Sequence, residues 1–247
     1  MLRDAGEFAA SEGNALRIRR KKWARPELAV CPFFESEPEK LRARWKERFS
    51  REQPLYLELG CGKGVFAAHL ALNNRDANLL AVDIKSDMLG VARRRIEEIF
   101  NDSRRSVDNL ILTAYNVEHL EKILSPEDNV RRIYINFCNP WPKPKHRKRR
   151  LTYPNKLEKY FDLLPEGGEI RFKTDDRPLF DDTLGYLEQS GFRVTFKTND
   201  LHSEPSAKDN IMTEHEAMFT SRGIKINALT AVRCAERPGK PEETAQD

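Results

Sequence analysis

Short apolar runs alternate with longer amphipathic segments from residue 55 onward, and this alternation constrains the possible folds most strongly. Parallel strands need a crossover connection, usually a helix, so the pattern predicts an α/β fold with a doubly wound, mostly parallel sheet and helices on both faces. The last two runs are joined by a long loop and a short helix, which predicts an antiparallel edge strand. The seven predicted strands are 55–59, 78–84, 109–114, 132–137, 168–174, 191–198 and 226–233, with helices from Val65, from Ser86 and near 155–164 and 178–190.

The length of 247 residues suits one large domain with extensions. We predict an α/β domain at 51–235, an N-terminal extension at 1–50 with a basic arm (17–25) and a short helix, and a disordered tail at 236–247. The four cysteines form no C-x-x-C pair, which predicts neither disulfides nor a zinc site and fits a cytoplasmic protein. No apolar run approaches the roughly 20 residues that span a membrane. The sequence leaves a monomer and a homodimer both open.

Three glycines follow the first predicted strand in the segment YLELGCGKGVF (56–66). Gly60, Gly62 and Gly64 let the backbone turn tightly and approach a ligand at the start of the next helix. Their G-x-G-x-G spacing departs from the dinucleotide fingerprint. Glu58 precedes the loop, and Asp83 ends the next strand, where an acid can hold ribose hydroxyls. An acid beside the loop disfavours a pyrophosphate and suits the cationic S-adenosylmethionine, so a methyl-donor site is preferred over a nicotinamide site.

The segment YINFCNPWPKPKHRKRR (134–150) joins a strand end, a proline-rich turn and a cationic run. Ligands of open α/β sheets bind beyond the carboxyl ends of the strands, so the turn should border the donor, with Trp141 placed to wall a slot for a flat base. The net charge is only +4, but basic residues are concentrated in this run and in the basic arm. Clusters of this kind more often bind phosphates than form a merely solvated surface. The predicted backbone contacts are Arg147, Lys148, Arg149 and Arg150, with Arg19 and Arg20 of the arm.

Five segments occur in the order and spacing of the bacterial tRNA (guanine-N7)-methyltransferase family, which the chain resembles over roughly residues 16–233. The strand-end motif and the T-x-x-E segment are far more specific than the glycine loop. The resemblance implies a class I, Rossmann-like enzyme that uses S-adenosylmethionine, releases S-adenosylhomocysteine and methylates N7 of guanine 46 in the tRNA variable loop. The five segments are LRIRRKKWARPEL (16–28), YLELGCGKGVF (56–66), INFCNPWPKPKHRKRRLTY (135–153), RFKTDDRPLF (171–180) and MTEHEAMF (212–219).

The resemblance also implies roles for individual positions. Donor contacts fall at Glu58, Asp83, Asn116 and Asn139, beside the three glycines, and Asn139 occupies the position usually called catalytic. Asp175 and Thr213 also stand near helix starts, where capping is an additional role. No metal is expected, because no Cys/His/Asp cluster has ligand spacing. The implied substrate contacts are Lys143, Asp175, Thr213, Glu214, His215 and Glu216.

The chain departs from the family pattern at Asn116 and Asn139, where that pattern has Asp. A carboxylate about 5 Å from a sulfonium contributes at most about 3 kcal/mol at an effective dielectric near 20, so its loss should weaken donor binding without abolishing the reaction. Guanine N7 has an in-plane lone pair and no proton, so in-line methyl transfer needs alignment and no general base. An amide still donates and accepts hydrogen bonds, and His119 and His215 have no proton to remove.

Two alternatives compete with this interpretation. One is an enzyme for an exocyclic base amine, because NPWP resembles the Asn-Pro-Pro-aromatic turn of such enzymes, although the aromatic residue sits one place too early. The other is a tRNA-binding protein that kept the fold and lost turnover through Asn116 and Asn139. Retention of the glycines, Glu58 and Asp83 argues against a pure binding protein, which has no need of a donor site.

Overall fold

The computed structural model describes residues 20–237, and one eight-stranded sheet forms its centre. The strands are β1 (Phe34–Glu35), β2 (Leu55–Leu59), β3 (Asn78–Asp83), β4 (Leu110–Ala114), β5 (Val130–Asn136), β6 (Glu169–Thr174), β7 (Phe192–Thr198) and β8 (Asn227–Arg233). They lie in the order β1-β4-β3-β2-β5-β6-β8-β7. All seven predicted strands are present, so the predicted α/β class is confirmed.

Every neighbouring pair is parallel except the two that involve β8, which is antiparallel to both β6 and β7. The antiparallel strand therefore lies one position inside the sheet, and β7 forms the edge. The eighth strand, β1, was not predicted. It has two residues and exists only through pairing with β4, where Phe34 lies opposite Leu112. A run that short has no periodicity of its own to detect.

The helices are α1 (Ala24–Ala29), α2 (Val65–Asn73), α3 (Ser86–Asp102), α4 (Pro154–Leu163), α5 (Arg177–Gln189) and α6 (Glu214–Thr220). Both α1 and α2 pack against α3, whereas α4 packs against α5, so two helical layers enclose the sheet. The core between them is fully buried at Leu57, Leu80, Ile133 and Phe172. Among residues 20–237, no helix combines the length and the apolar character needed to cross a membrane.

The crevice of the sheet lies where β2 has β3 on one side and β5 on the other, because the direction of winding reverses there. In such sheets the carboxyl ends of the strands at the reversal form the ligand site. Residues 59, 83, 114, 136 and 174 end the parallel strands β2, β3, β4, β5 and β6 at this one edge. The topology therefore collects the glycine loop, Asp83, Asn116, Asn139 and Asp175 along a single rim.

The part of the N-terminal extension that the structure describes is packed onto the sheet. Trp45 is 1% exposed, and its indole N–H donates to the Ile123 carbonyl at 2.7 Å. The backbone N–H of Lys21 donates to Asp87 Oδ1 at 3.1 Å, which fixes the start of this segment beside the first turn of α3. Arg20 is exposed, while Arg19 and residues 238–247 of the tail lie outside the described residues.

Candidate active site

The glycine loop carries the chain from β2 into α2 through backbone that favours glycine. Gly60, Gly62 and Gly64 have φ of +81°, +54° and +75°. A Cβ built on Gly60 or Gly62 meets no atom within 4 Å, so these two positions face open space. A Cβ on Gly64 would lie 2.9 Å from Ala92 Cβ, so this glycine permits the close packing of α2 on α3. Two glycines thus leave the ligand side open, and the third serves packing.

Asp83 holds this loop from the end of β3. Its Oδ2 accepts a hydrogen bond from the Gly62 N–H at 3.0 Å, and its Oδ1 accepts from the Lys85 N–H at 2.9 Å. A carboxylate offers about four lone-pair sites, so both oxygens keep capacity for a hydroxyl donor. The half-buried side chain thereby shapes the loop and presents an acceptor at the rim.

Glu58 is the buried acid of the site. It is 2% exposed, its Oε1 accepts a long bond from Asn136 Nδ2 at 3.4 Å, and its Oε2 has no partner among the described residues. Burial raises the pKa of Glu58 to about 7, opposed by the Asn136 bond and the Lys173 charge and assisted by the Asp83 charge. A buried carboxylate without a full set of partners is costly unless a cation or donor completes it. Glu58 is therefore arranged to receive a positively charged group.

A cavity of about 110 Å³ lies over the glycine loop and Glu58. Its opposite wall is the start of α6, which contributes Thr213, Glu214 and His215. Lys63 of the loop pairs with Glu214 at 3.3 Å across the opening, and both side chains are partly exposed. The lining also includes Cys61, Val65, Phe66, Met88, Asn136 and Phe137. The T-x-x-E segment and the glycine loop, about 150 residues apart in sequence, therefore form one site.

The T-x-x-E segment caps its own helix. Thr213 Oγ1 accepts from the Glu216 N–H at 3.0 Å, and Glu216 Oε2 accepts from the Thr213 N–H at 3.3 Å, which is a capping box. Glu216 is fully buried, whereas Glu214 and His215 are exposed. The segment therefore divides into two residues that hold the helix and two that face outward.

The proline-rich turn after β5 is built around unusual backbone and one amide. Phe137 and Trp141 have φ of +51° and +44°, a region that non-glycine residues rarely occupy. Asn139 is exposed, and its Oδ1 accepts from the Trp141 N–H at 3.0 Å. Strained residues of this kind cluster at functional sites. The Phe137 ring stacks on His215 with centroids 6.1 Å apart, which joins the turn to α6.

Trp141, placed by the sequence at the wall of a slot for a base, is half-buried and contacts the basic run. Its ring centroid lies 5.7 Å from that of His146, and the Arg149 guanidinium lies over the ring at 5.1 Å. Burial and the neighbouring cations Arg149, Lys145 and Lys143 lower the pKa of His146. These contacts join the proline-rich turn to the basic run that follows it.

The cations of the run fall into two kinds. Lys145, Arg147, Lys148 and Arg149 are exposed on a 3-10 turn that spans Pro144–Arg149, and the exposed Lys143 directly precedes it. Arg150 is 2% exposed: its Nε donates to the Pro140 carbonyl at 2.7 Å and its guanidinium pairs with Asp182 at 2.5 Å. This burial contradicts the prediction that Arg150 contacts the RNA backbone, because its guanidinium is enclosed by the protein and bonded to Pro140 and Asp182. Arg150 instead fastens the turn to α5.

Two further rim residues have local partners. Asn116 Oδ1 accepts from the Glu118 N–H at 3.0 Å and caps the 3-10 turn Val117–Lys122. Asp176, not Asp175, caps α5, because its Oδ1 accepts from the Leu179 N–H at 2.7 Å. The Asp175 side chain is thereby free of capping, and burial raises its pKa while the nearby His215 opposes the rise.

Several residues of the site carry little or no signal in the sequence patterns. Asn136, Phe137 and Met88 line the cavity, and Lys63 bridges it, but each reads as the end of a strand, the middle of a helix or a solvated loop position. Lys173 looks like an ordinary member of β6, yet it is 8% exposed and bonded to Glu216. Phe137 alone had a possible signal, because it directly precedes a proline-rich turn.

Comparison with known proteins agrees with this geometry. Residues 52–229 match the model of a family described as "Putative methyltransferase". The tRNA (guanine-N(7)-)-methyltransferase of Clostridium beijerinckii is 50% identical over 218 residues, which cover 88% of this chain and 99% of that protein. The protein of the same name from Clostridium perfringens (strain SM101) is 47% identical, with 87% of this chain and 99% of that protein covered.

Solved structures share the fold at low sequence identity. The 16S rRNA methyltransferase KamB superposes with a TM-score of 0.57 at 14% identity, covering 78% of this chain and 93% of KamB. A structure described as an antibiotic-related methyltransferase gives a TM-score of 0.54 at 18% identity, covering 76% and 93% of the two chains. These likenesses support a class I methyltransferase fold. With the sequence matches over nearly the whole length of the relatives, they show that the chain belongs to the tRNA (guanine-N(7)-)-methyltransferase family.

Proposed function

We propose that the protein transfers a methyl group from S-adenosylmethionine to N7 of guanine 46 in the variable loop of tRNA. The observation that carries this proposal is the buried Glu58 carboxylate, with an oxygen that lacks a partner among residues 20–237, at the base of the cavity between the glycine loop and the T-x-x-E segment. The names of the relatives supply the substrate class, tRNA, and the atom, guanine N7.

The residues around the cavity fit this methyl donor. S-adenosylmethionine carries an ammonium and a sulfonium and no phosphate, which suits an acid where a pyrophosphate site would have none. Glu58 would receive the ammonium, Asp83 would accept from the ribose hydroxyls, and Gly60 and Gly62 leave the space that both need. When bound, the donor supplies an electrophilic methyl group.

The protein's own contribution to the chemistry is alignment. Guanine N7 is nucleophilic without losing a proton, so no residue has to act as a general base. Asn139 and Asn116 lie at the rim and hold turns there, with their amide N–H groups still able to donate. Asp175, Glu214 and His215 would contact the base beyond the cavity, while Thr213 and Glu216 form the capping box of the helix that carries Glu214 and His215.

The exposed cations would bind the tRNA backbone. Lys143, Arg147, Lys148 and Arg149 project from one turn beside Asn139, and Arg20 is exposed near the first turn of α3. Arginine and lysine contacts to phosphates position the nucleic acid and leave its sequence to be read elsewhere. We include Arg19 in this surface on its sequence alone.

The test is incubation of the protein with bulk tRNA and labelled S-adenosylmethionine, followed by nucleoside analysis. Label is expected in 7-methylguanosine, and a tRNA transcript with adenine at position 46 should accept none. Glu58→Gln should weaken donor binding measured by calorimetry, whereas the exposed control Glu52→Gln should leave it unchanged. Label in an exocyclic amine of a base, or donor binding without any methylation of tRNA, would overturn the proposal in favour of the two alternatives above.

A further inference from the structure

One buried ammonium ties the cavity wall to the sheet. Lys173 of β6 is 8% exposed, and its Nζ donates to Glu216 Oε2 at 2.7 Å, to the Ile211 carbonyl at 2.9 Å and to Asn210 Oδ1 at 3.0 Å. All three partners lie in residues 210–216, which we call the tethered segment. An ammonium has three donors, so these three bonds use the full capacity of Lys173.

The other contacts of the tethered segment and of the rest of α6 are made by partly buried or exposed side chains: Ile211 packs on the core, His215 and Phe219 stack with Phe137, and Glu214 pairs with Lys63. Helix α6 has seven residues, and Glu216 is the only one of them that is buried. Glu216 also receives a bond from Asn210 Nδ2, and His202 Nε2 lies 3.2 Å from its Oε1. Burial lowers the pKa of Lys173, and the charge and hydrogen bond of Glu216 oppose this change. Glu216 is therefore the one fully buried anchor of this short helix, beside the partly buried Phe219.

The location of this segment determines the shape of the cavity. Three residues of the tethered segment, Thr213, Glu214 and His215, form the wall opposite the glycine loop. Glu58, the buried acid of the cavity, belongs to β2 of the same sheet, and the Lys173 charge lowers its pKa. Lys173 therefore ties the segment that forms this wall to the sheet that carries Glu58.

We propose that Lys173 is a positioning residue of the enzyme: by holding Glu216, Asn210 and Ile211 to β6, it sets the distance between Glu214 and His215 on one wall and the glycine loop on the other. This proposal rests on the proposed function for its kinetic consequence. Its structural consequence, the anchoring of residues 210–216, is independent of which substrate the enzyme uses. Lys173 touches neither reactant in this scheme and acts only through the tethered segment.

The first test compares Lys173→Met with Lys197→Met, which removes an exposed lysine from β7 of the same sheet. In hydrogen–deuterium exchange, Lys173→Met should raise exchange at residues 210–220 and leave β5 and β8 protected, and Lys197→Met should change neither. At saturating donor, the kcat of Lys173→Met should fall about 10²-fold, because misplacement of about 1 Å costs that much. Its Kd for tRNA should stay within about threefold, because the exposed cations that contact phosphates are intact.

The second test separates positioning from stability. Lys173→Met alone leaves a buried carboxylate unpaired, whereas the double variant Lys173→Met/Glu216→Gln removes that charge and keeps the capping box, because Gln can replace Glu in it. The double variant should regain most of the melting temperature that the single variant loses. Its kcat and its exchange at 210–220 should remain those of the single variant, because the bonds to Asn210 and Ile211 are still missing.

Each outcome decides one question. Recovery of kcat together with the melting temperature in the double variant would overturn the positioning role and make Lys173 a purely stabilising residue. Unchanged exchange at 210–220 in Lys173→Met would do the same, whatever the activity. If the wild type fails to methylate tRNA, the proposed function fails, but raised exchange confined to 210–220 still supports the anchoring role of Lys173.

Discussion

The Asn139 amide oxygen accepts a hydrogen bond from the Trp141 backbone N–H at 3.0 Å, and this bond closes the turn at the end of β5. An aspartate oxygen can accept the same bond, so the turn does not require a choice between the two residues. The departure from the family pattern at this position therefore preserves the shape of the rim. Asn139 in place of an aspartate removes one negative charge from the rim.

The Asn139→Asp variant should retain activity within about tenfold, a barrier change of about 1.4 kcal/mol, because the turn is kept and no base is needed. It should bind the cationic donor more tightly. Asn139→Ala should lose about 10²-fold, since the bond to Trp141 and the amide at the rim both disappear. Single-turnover rates at saturating donor provide the comparison. A wild type that is inactive until Asn139→Asp is introduced would contradict this mechanism.

Donor affinity should rise with pH through about 7, because burial raises the pKa of Glu58 to that value and only the carboxylate attracts an ammonium. Calorimetric titrations from pH 5.5 to about 8.5 should show the rise in the wild type and its absence in Glu58→Gln. At saturating donor, kcat should stay flat over the same range, since no proton leaves guanine N7. A kcat that falls with a carboxylate-like pKa would instead indicate a general base.

The same residue should also change the pH dependence of stability. Burial raises the pKa of Glu58 in the folded protein from the ordinary 4.5 to about 7, so its stabilising contribution is fully present below 4.5 and is lost as pH rises through about 7. Across that window the difference amounts to about 3 kcal/mol. As pH rises from 4.5 to 7, the free energy of unfolding of the wild type, measured in urea without donor, should therefore fall relative to that of Glu58→Gln. Parallel curves for the two proteins would show that Glu58 stays ionised.

The affinity for tRNA should fall steeply with salt, with a log–log slope near −4 for about five phosphate contacts. Replacing Arg147, Lys148 and Arg149 by Ala should flatten the slope by about two units or more, and donor affinity should not change. A control with Arg75→Ala and Arg131→Ala should keep the wild-type slope, because both arginines are exposed at the amino ends of β3 and β5, away from the rim that carries the site. An unchanged slope in the triple variant would identify the run as a solvated surface.

Two glycines with nearly equal φ offer a matched test of packing. Gly64 and Gly167 have φ of +75° and +76°, but only Gly64 has a neighbour that a Cβ would meet, Ala92 at 2.9 Å. Gly167→Ala should cost about 1 kcal/mol of the free energy of unfolding, the backbone penalty alone. Gly64→Ala should cost about 2–4 kcal/mol, because overpacking is added. Equal losses in urea unfolding would mean that α3 moves away without cost.

The sequence predicts those parts of the fold and the site that have a local signature. The seven longer strands are recognisable from their apolar composition and their length. The acids Glu58 and Asp83 stand at or near strand ends, and the sheet topology alone brings them to the crevice. Strand order has no such signature, so the sequence does not show that β8 lies between β6 and β7 in the sheet. Burial also depends on distant segments: Arg150 looks like its neighbours in the run until Asp182, 32 residues later, is seen beside it.

The tie between Lys173 and Glu216 illustrates the same limit. The two residues are 43 positions apart, and each fits its local pattern, a strand residue and the last position of a capping box. Nothing nearby indicates that they meet. A resemblance to a family marks Glu216 as functional, but only the structure shows that its carboxylate points into the protein.

The ion pair between Lys63 and Glu214 spans the opening of the cavity over Glu58, and both of its side chains are partly exposed. A donor that enters by this opening would have to break the pair before it reaches Glu58. Association then becomes a gated process: its observed rate should level off at high donor concentration, at the frequency with which this exposed bridge opens. Added salt should raise that ceiling, because it weakens the bridge while leaving the buried contacts below it in place.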